Sequence, residues 1–402
     1  MAKIVLTRFL YIFDEVCITF LTCLLKKNDL NECYFWLSEL YLSGYVNQCW
    51  EFIWFIYYDF YYIKNPQFEK FILKKQNTPS LISIMTVVKN MFKMDSSSHV
   101  FITRQYNANN KEINHIFRGK KPNWLQNISI KFHGLFRFID KKLYHYAVSS
   151  LPIIDINNYD ETLQITNNLF DNLQIYMNET CKNNITSEIL NDVKENIYHD
   201  NYSNYTHKLW AKICLFIFNP NFHNDKKKLY VSCLQDEHNK TINIHEEDIP
   251  LSKHGNKQIY KTLVYKRLHS ISPLCSSFKL ERYNMIEYNE NISTYKENVN
   301  RECINCFWHH WEYYAYVTPL WKDRFDKYDV TIDANNKKIT FNNDDDCEDF
   351  YESYGYEPDE QSCETVNKHI TNMDYTNWKK WYESIFDEAP IYEFDDNYQF
   401  TY

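Results

Sequence analysis

Glycine is nearly missing: the chain has five in 402 residues. Glycine supplies the positive-φ positions of tight hairpin turns and the close backbone approach of phosphate loops. None of the five falls in a G-x-x-x-x-G-K-[S/T] or G-x-G-x-x-G pattern, which excludes the usual P-loop and dinucleotide-binding enzymes. The nucleophile elbow G-x-S-x-G, the zinc-protease pair H-E-x-x-H and the protein-kinase set are absent too, so no motif specifies a reaction. An uninterrupted apolar run is also lacking at the N-terminus. The stretch Phe9 to Leu25 is broken by Asp14 and Glu15 and has no small-residue cleavage site, so neither a signal peptide nor a membrane span is expected. The 12 cysteines are then expected as reduced, mostly buried thiols of an intracellular protein. No cofactor is expected.

What is present in excess is aromatic: 34 Tyr, 27 Phe and 10 Trp, 18% of the chain. With so little glycine, this composition points to helices. The expected fold is mainly α: an N-terminal helical bundle or short helical-repeat array, with a smaller α+β C-terminal part. Leu10, Phe13, Cys17, Phe20, Leu21 and Leu24 recur at helical spacing. A second helix is signalled by Asp29 as N-cap with Glu32 three residues on, and by Gly44 as a left-handed C-cap. A third, "VNQCWEFIWFIYYDFYYI", runs to the Asn65-Pro66 stop and is apolar on most of its circumference. No second copy of this unit is found, so a solenoid does not follow.

Further along, a helix is expected over 81–94, a short strand at 99–104, a polar loop over 105–122 and a long helix over 124–148. Helices follow at 160–179, 186–199 and 206–218. Residues 220–260 read as irregular with one strand at 229–234, and 258–271 alternates enough for another, with a helix as the alternative there. "DVTIDANNKKITF" reads as a β-hairpin turning at Asn335-Asn336. Residues 343–364 read as acidic loop, with a last helix at 375–386. The expected divisions are 1–75, an aromatic bundle; 76–150, a helical extension with a basic segment; 151–342, an α+β domain; and 343–402, an acidic region with one helix and a tail.

The net charge of −9 hides an asymmetry. Residues 341–402 hold 17 Asp plus Glu against three Lys and no Arg, a net of −14, so 1–340 carries +5. A solvated terminus explains such a tail. So does a tail that binds a basic partner, or one that competes with a polyanion for the body.

Three segments carry chemistry worth weighing. In "CINCFWHHWEYYAYVTPLW" Cys303, Cys306 and His310 share a face if the segment is helical, and Cys347 or Cys363 could complete a tetrahedral zinc site. The same stretch reads more readily as a core helix: Phe307, Tyr314, Val317 and Trp321 form one apolar stripe and Ile304, Trp308, Trp311 and Ala315 another. Thr318-Pro319 would end it. In 118–146, Arg118, Lys120, Lys121, Lys131, Arg137, Lys141 and Lys142 interleave with Trp124, Phe132, Phe136 and Phe138. Basic groups with stacking faces suit single-stranded nucleic acid, and also an amphipathic surface helix. In the tail, Tyr392, Phe394, Tyr398, Phe400 and Tyr402 could anchor a docking peptide, with the acids as steering charges.

The segments "FDEVCITFLTCLLKKNDLNECYFWLSELYLSGYVNQCWEFIWFIYYDFYYIKNPQFEKF" and "CFWHHWEYYAYVTPLW" resemble uncharacterised proteins of the giant viruses, the large DNA viruses of protists. The resemblance covers roughly 9–75 and 301–325 and brings no activity to carry over. It implies a viral protein made in host cytoplasm, placed in a viral factory or a virion. Three functions follow as expectations. The first is a non-enzymatic interaction or scaffold protein with a protein partner. The second is a nucleic-acid-associated accessory factor for viral transcription or translation. The third is a metal-dependent enzyme centred on the CxxC-HH stretch. No membrane association is expected, and the oligomeric state is not readable.

Overall fold

The computed structural model describes residues 5–11, 13–108, 117–152, 159–180, 205–219, 229–246, 310–354, 378–386 and 400–401. In chain order the elements are α1 (Phe13–Lys26), α2 (Leu30–Leu42), α3 (Val46–Ile56), a π-helical turn (Tyr57–Tyr61), α4 (Phe68–Gln76), α5 (Leu81–Lys93) and α6 (His99–Ala108). Then come β1 (Phe117–Arg118), two 3₁₀ turns (Asn123–Asn127 and Ile130–Phe132), α7 (His133–Asp140), α8 (Tyr144–Ser149), α9 (Tyr159–Thr180), α10 (Tyr205–Phe218) and α11 (Gln235–Glu246). The chain continues with α12 (Trp311–Ala315), α13 (Pro319–Phe325), β2 (Val330–Asp333), β3 (Lys338–Phe341), α14 (Asp344–Tyr354), α15 (Trp378–Ile385) and β4 (Phe400–Thr401). The fold is mainly α with a small α+β part. Two compact units interleave along the sequence: Met1–Ile53, Lys70–Lys93 and Leu229–Asp387 form one, and Trp54–Glu69, Met94–Lys228 and Glu388–Tyr402 the other.

In the first unit α1 is the central element. Every residue from Phe13 to Leu25 is buried, Asp14 and Glu15 included. It packs on α2, α5 and α15, and Trp381 of α15 donates its indole N–H to Thr22 Oγ1 at 2.9 Å. Burial, with Glu15 beside it, holds the Asp14 carboxyl well above the ordinary carboxylate range. The two acids that break the apolar run are therefore core residues. Among the described residues no helix is long and apolar enough to cross a membrane.

The caps of α2 follow local chemistry. Asp29 accepts from the Asn31 N–H at 2.8 Å, while Glu32 turns to the Trp36 indole (3.5 Å) instead of closing a capping box. At the other end Gly44 takes φ +93°. Tyr45 N–H then reaches Leu40 O (3.2 Å) and Gly44 N–H reaches Tyr41 O (3.1 Å), the Schellman arrangement. A Cβ on Gly44 would stand 2.6 Å from Pro319 Cβ, so both backbone and packing require glycine there.

The hairpin forms as its sequence predicts: β2 and β3 pair antiparallel with Asp333 opposite Lys338. Asp333 Oδ1 accepts from the N–H groups of Asn335 (2.9 Å) and Asn336 (3.0 Å), an Asx-type turn that replaces the missing glycine.

Several expectations are corrected. Residues 99–104 form helix α6, because Val100, Phe101 and Ile102 are buried in succession and tertiary packing overrides β-branched preference. The loop expected from 105 begins instead inside α6, and 117–118 is strand β1. The helix expected over 124–148 is interrupted. Ile128 and Ser129 are extended, and Lys142 at φ +58° separates α7 from α8. The acidic stretch opening at 343 is helix α14 to Tyr354. Asn343 Oδ1 accepts from the Asp345 N–H at 2.9 Å, three aspartates sit in the first turn where the helix dipole favours them, and Phe350 stacks on Phe325 at 4.5 Å. Residues 235–246, read as irregular, are helix α11. Residues 229–234, expected as a strand, take no regular secondary structure and pair with no strand among the described residues. The readings at 186–199 and 258–271 lie outside the described residues.

In the second unit α6 packs against α10, α8 and the π-turn, and α9 lies on the first 3₁₀ turn. Tyr57 to Tyr62 are all buried. The π-turn brings Asp59, also fully buried, to Arg104 of α6, whose Nη2 donates to Oδ2 at 2.7 Å. The Arg104 guanidinium lies over Phe55 (5.3 Å) and Phe101 (5.7 Å). Strand β1 pairs in parallel with β4, Phe117 beside Phe400 and Arg118 beside Thr401.

Candidate functional site

Of the sequence-predicted metal residues, Cys303 and Cys306 lie outside the described residues, as does Cys363. His310 is half-buried just before α12, and its Nδ1 lies 3.0 Å from Lys337 O. The single helix expected through this stretch is two short ones. α12 stops at Ala315, and Pro319 starts α13 rather than ending a helix, as a fixed φ suits the first helical position. Trp311, Tyr314 and Trp321 are buried as expected, but Val317 falls in the connection and is 42% exposed. Among the described residues no group of three or more His, Cys, Asp and Glu is placed to hold a metal ion. Burial favours the protonated thiol at five cysteines of the described core. Burial pushes Cys23, Cys33 and Cys49 far above the usual thiol range, Cys214 to about 12 and Cys233 to about 11, where the nucleophilic and metal-binding thiolate is not populated at neutral pH.

The basic segment divides by exposure. Arg118, Lys120, Lys121, Lys131 and Lys142 are exposed, and Lys141 is half-buried. Arg137 is buried: it pairs with Asp140 at 2.9 Å and lies 6.0 Å over the Trp124 ring. The aromatic faces point inward. Phe132, Phe136 and Phe138 are buried, and Trp124 meets Tyr176 edge-on at 5.0 Å. The segment is thus an amphipathic surface with its stacking faces already used. Of the tail anchors, Phe400 lies in β4 beside Phe117; Tyr392, Phe394, Tyr398 and Tyr402 lie outside the described residues.

Two polar constellations escaped the sequence reading. The first ties residues 6–9 to α2 and α13. Glu39 Oε1 accepts from the Thr7 hydroxyl (2.5 Å) and the Phe9 N–H (2.8 Å). Ser43 Oγ accepts from the Arg8 N–H (2.7 Å), Thr318 donates to Leu6 O, and the Trp321 indole donates to Arg8 O (3.1 Å). Burial raises the Glu39 carboxyl, offset by Thr7, Phe9, Arg8 and Arg324. Arg324, one turn beyond Trp321, is driven down to about 10 by burial and by Arg8, and so remains charged at neutral pH.

The second constellation holds an irregular segment on a helix. Asn90 of α5 accepts from the Val231 N–H (2.9 Å) and donates to Val231 O (2.8 Å). Thr86 Oγ1 accepts from the Cys233 N–H (3.0 Å). Lys89 reaches Ser232 O (3.3 Å) and pairs with Glu237 at 2.7 Å. Tyr230 rests on Phe71, 4.6 Å between rings. The backbone is held while Leu229 is 97%, Leu234 60% and Val231 38% exposed. The helical spacing of Thr86, Lys89 and Asn90 was the available signal, but no sequence pattern names their target.

No family model, no curated protein and no solved structure matches this chain.

Proposed function

We propose that this protein is a non-enzymatic helical scaffold that binds another protein, with 229–234 as a contact surface. One observation carries the reading: a non-helical backbone segment clamped by Asn90, Thr86 and Lys89 presents Leu229, Val231 and Leu234 to solvent. Exposed apolar side chains on a preordered backbone suit docking, since little freedom is lost when a partner covers them. The partner that fits is a protein with an apolar groove. The protonated thiols and the internal use of the buried charges support a structural rather than a catalytic role for the core. The test compares material co-purifying with the full-length protein and with Leu229→Ser/Leu234→Ser. Selective loss of a partner at unchanged helicity is expected; identical partners in both would sink the reading. Deletion of 387–402 in parallel reports on the tail anchors separately.

A second reading, nucleic-acid association through 118–146, draws on the exposed Arg118, Lys120, Lys121, Lys131 and Lys142. Such binding rests on phosphate contacts and weakens steeply with salt. Binding that is absent at low salt, or indifferent to it, removes this reading. The giant-virus resemblance adds a location, host cytoplasm or virion, and peptide mass spectrometry of purified particles decides between them.

A further inference from the structure

Arg104, Arg137, Lys89, Lys208 and Lys212 each pair with a carboxylate. Arg324, half-buried on α13, lies instead in the corner formed by two aromatic rings that meet edge to face, 4.5 Å from the Trp321 centroid and 4.6 Å from the Tyr354 centroid. Among the described residues it makes no hydrogen bond and no ion pair. Ring faces stabilise a cation but leave the N–H donors of the planar fork unanswered in its own plane.

The surroundings are cationic. Arg8 is near enough to press on Arg324, and Lys327, three residues along, donates to the Tyr354 hydroxyl at 3.2 Å. The opposing carboxylate is Glu39, whose Oε1 already receives Thr7 and Phe9. The nearby Asp326 carboxylate receives the Tyr316 hydroxyl at 3.0 Å. Arg8 and Lys327 thus add positive charge near Arg324, and the carboxyl that acts on it, Glu39, is itself engaged. A rigid guanidinium fork with further positive charge beside it is the usual recognition element for a tetrahedral oxyanion.

We propose that Arg324, with Arg8 and Lys327 adding charge, binds a phosphate group, either as the free ion or as a phosphate monoester. The two rings hold the guanidinium in place, and Arg324 is half-buried rather than sealed from solvent. This site is independent of the 229–234 surface, so either proposal can fail alone.

The test is calorimetry on the full-length protein with inorganic phosphate, O-phosphoserine, sulfate and acetate, at constant ionic strength set with chloride. Saturable binding of phosphate or phosphoserine is expected, with the tighter of the two naming the source. Arg324→Gln should weaken it at least tenfold, and Lys327→Gln, at an exposed position, about threefold at unchanged helicity; the second variant serves if the first fails to fold. No saturable heat with either phosphate ligand, an equal response from acetate, or full affinity in the variants overturns the proposal.

Discussion

Asn90 holds Val231 by both backbone groups, accepting its N–H at 2.9 Å and donating to its carbonyl at 2.8 Å. One amide side chain thus satisfies both backbone groups of a residue that lies in no helix or strand. Asn90→Ala should cost about 1–2 kcal/mol, the loss of two part-buried hydrogen bonds. It should also speed exchange at the Val231 amide well beyond any change in the α5 core. Unchanged protection at Val231 would show that α11 alone positions the segment.

The Arg104–Asp59 pair should behave as a buried ion pair whose halves need each other. Arg104→Met leaves Asp59 fully buried without its cation and is expected to lower unfolding free energy by about 3–5 kcal/mol in urea. Combining it with Asp59→Asn should restore part of that loss. Additive losses in the double variant would mean the two residues are not coupled.

Gly44→Ala is expected to destabilise by about 1–3 kcal/mol. The residue sits at φ +93°, and the added Cβ would stand 2.6 Å from Pro319 Cβ. A denaturant midpoint equal to wild type would show that α13 shifts freely away from the end of α2.

His99 gives the protein an acid-sensitive element. Burial, with Lys64 adding repulsion, lowers its pKa from 6.5 to about 4. Its Nδ1 lies 2.6 Å from Ser97 Oγ, and its ring packs 4.3 Å from Phe218. Between these values the unfolded chain takes up a proton that the folded chain refuses. The His99 contribution is therefore complete above pH 6.5 and is lost as pH falls toward 4, on the order of 3 kcal/mol at most. Asp14 and Glu39, raised by burial, act in the opposite sense, losing stability as pH rises. The informative curve is thus wild type minus His99→Gln from pH 4 to 7. A flat difference would place the ring in contact with water.

Much of the N-terminal part was legible. The 3.6-residue apolar spacing, the Asp29 cap, the Gly44 stop and the Asn65-Pro66 break are local signals, and α1, α2 and α3 appear where they point. The hairpin was legible because its turn chemistry is local too. The misread elements share a cause. Alternation at 99–104 and acidity from 343 onward are ambiguous locally, and the helices there are decided by burial of Phe101 and Phe350. The candidate surfaces were hardest to read, since Arg8, Glu39 and Arg324 are hundreds of residues apart in part, and nothing local links Asn90 to Val231.

Composition and periodicity by themselves determined a mainly helical, aromatic-cored chain, its charge asymmetry and the reactions it lacks motifs for. Those properties depend on side-chain type and near-neighbour spacing, which the sequence states directly. The tertiary structure alone decided which charges are paired inside and which face outward. It turned the aromatic faces of the basic segment inward, paired Asp59 with Arg104, and left Arg324 beside two rings without a carboxylate. Partner choice among buried polar groups is set by long-range packing, where desolvation penalises every unmatched charge, and that matching has no counterpart in linear order.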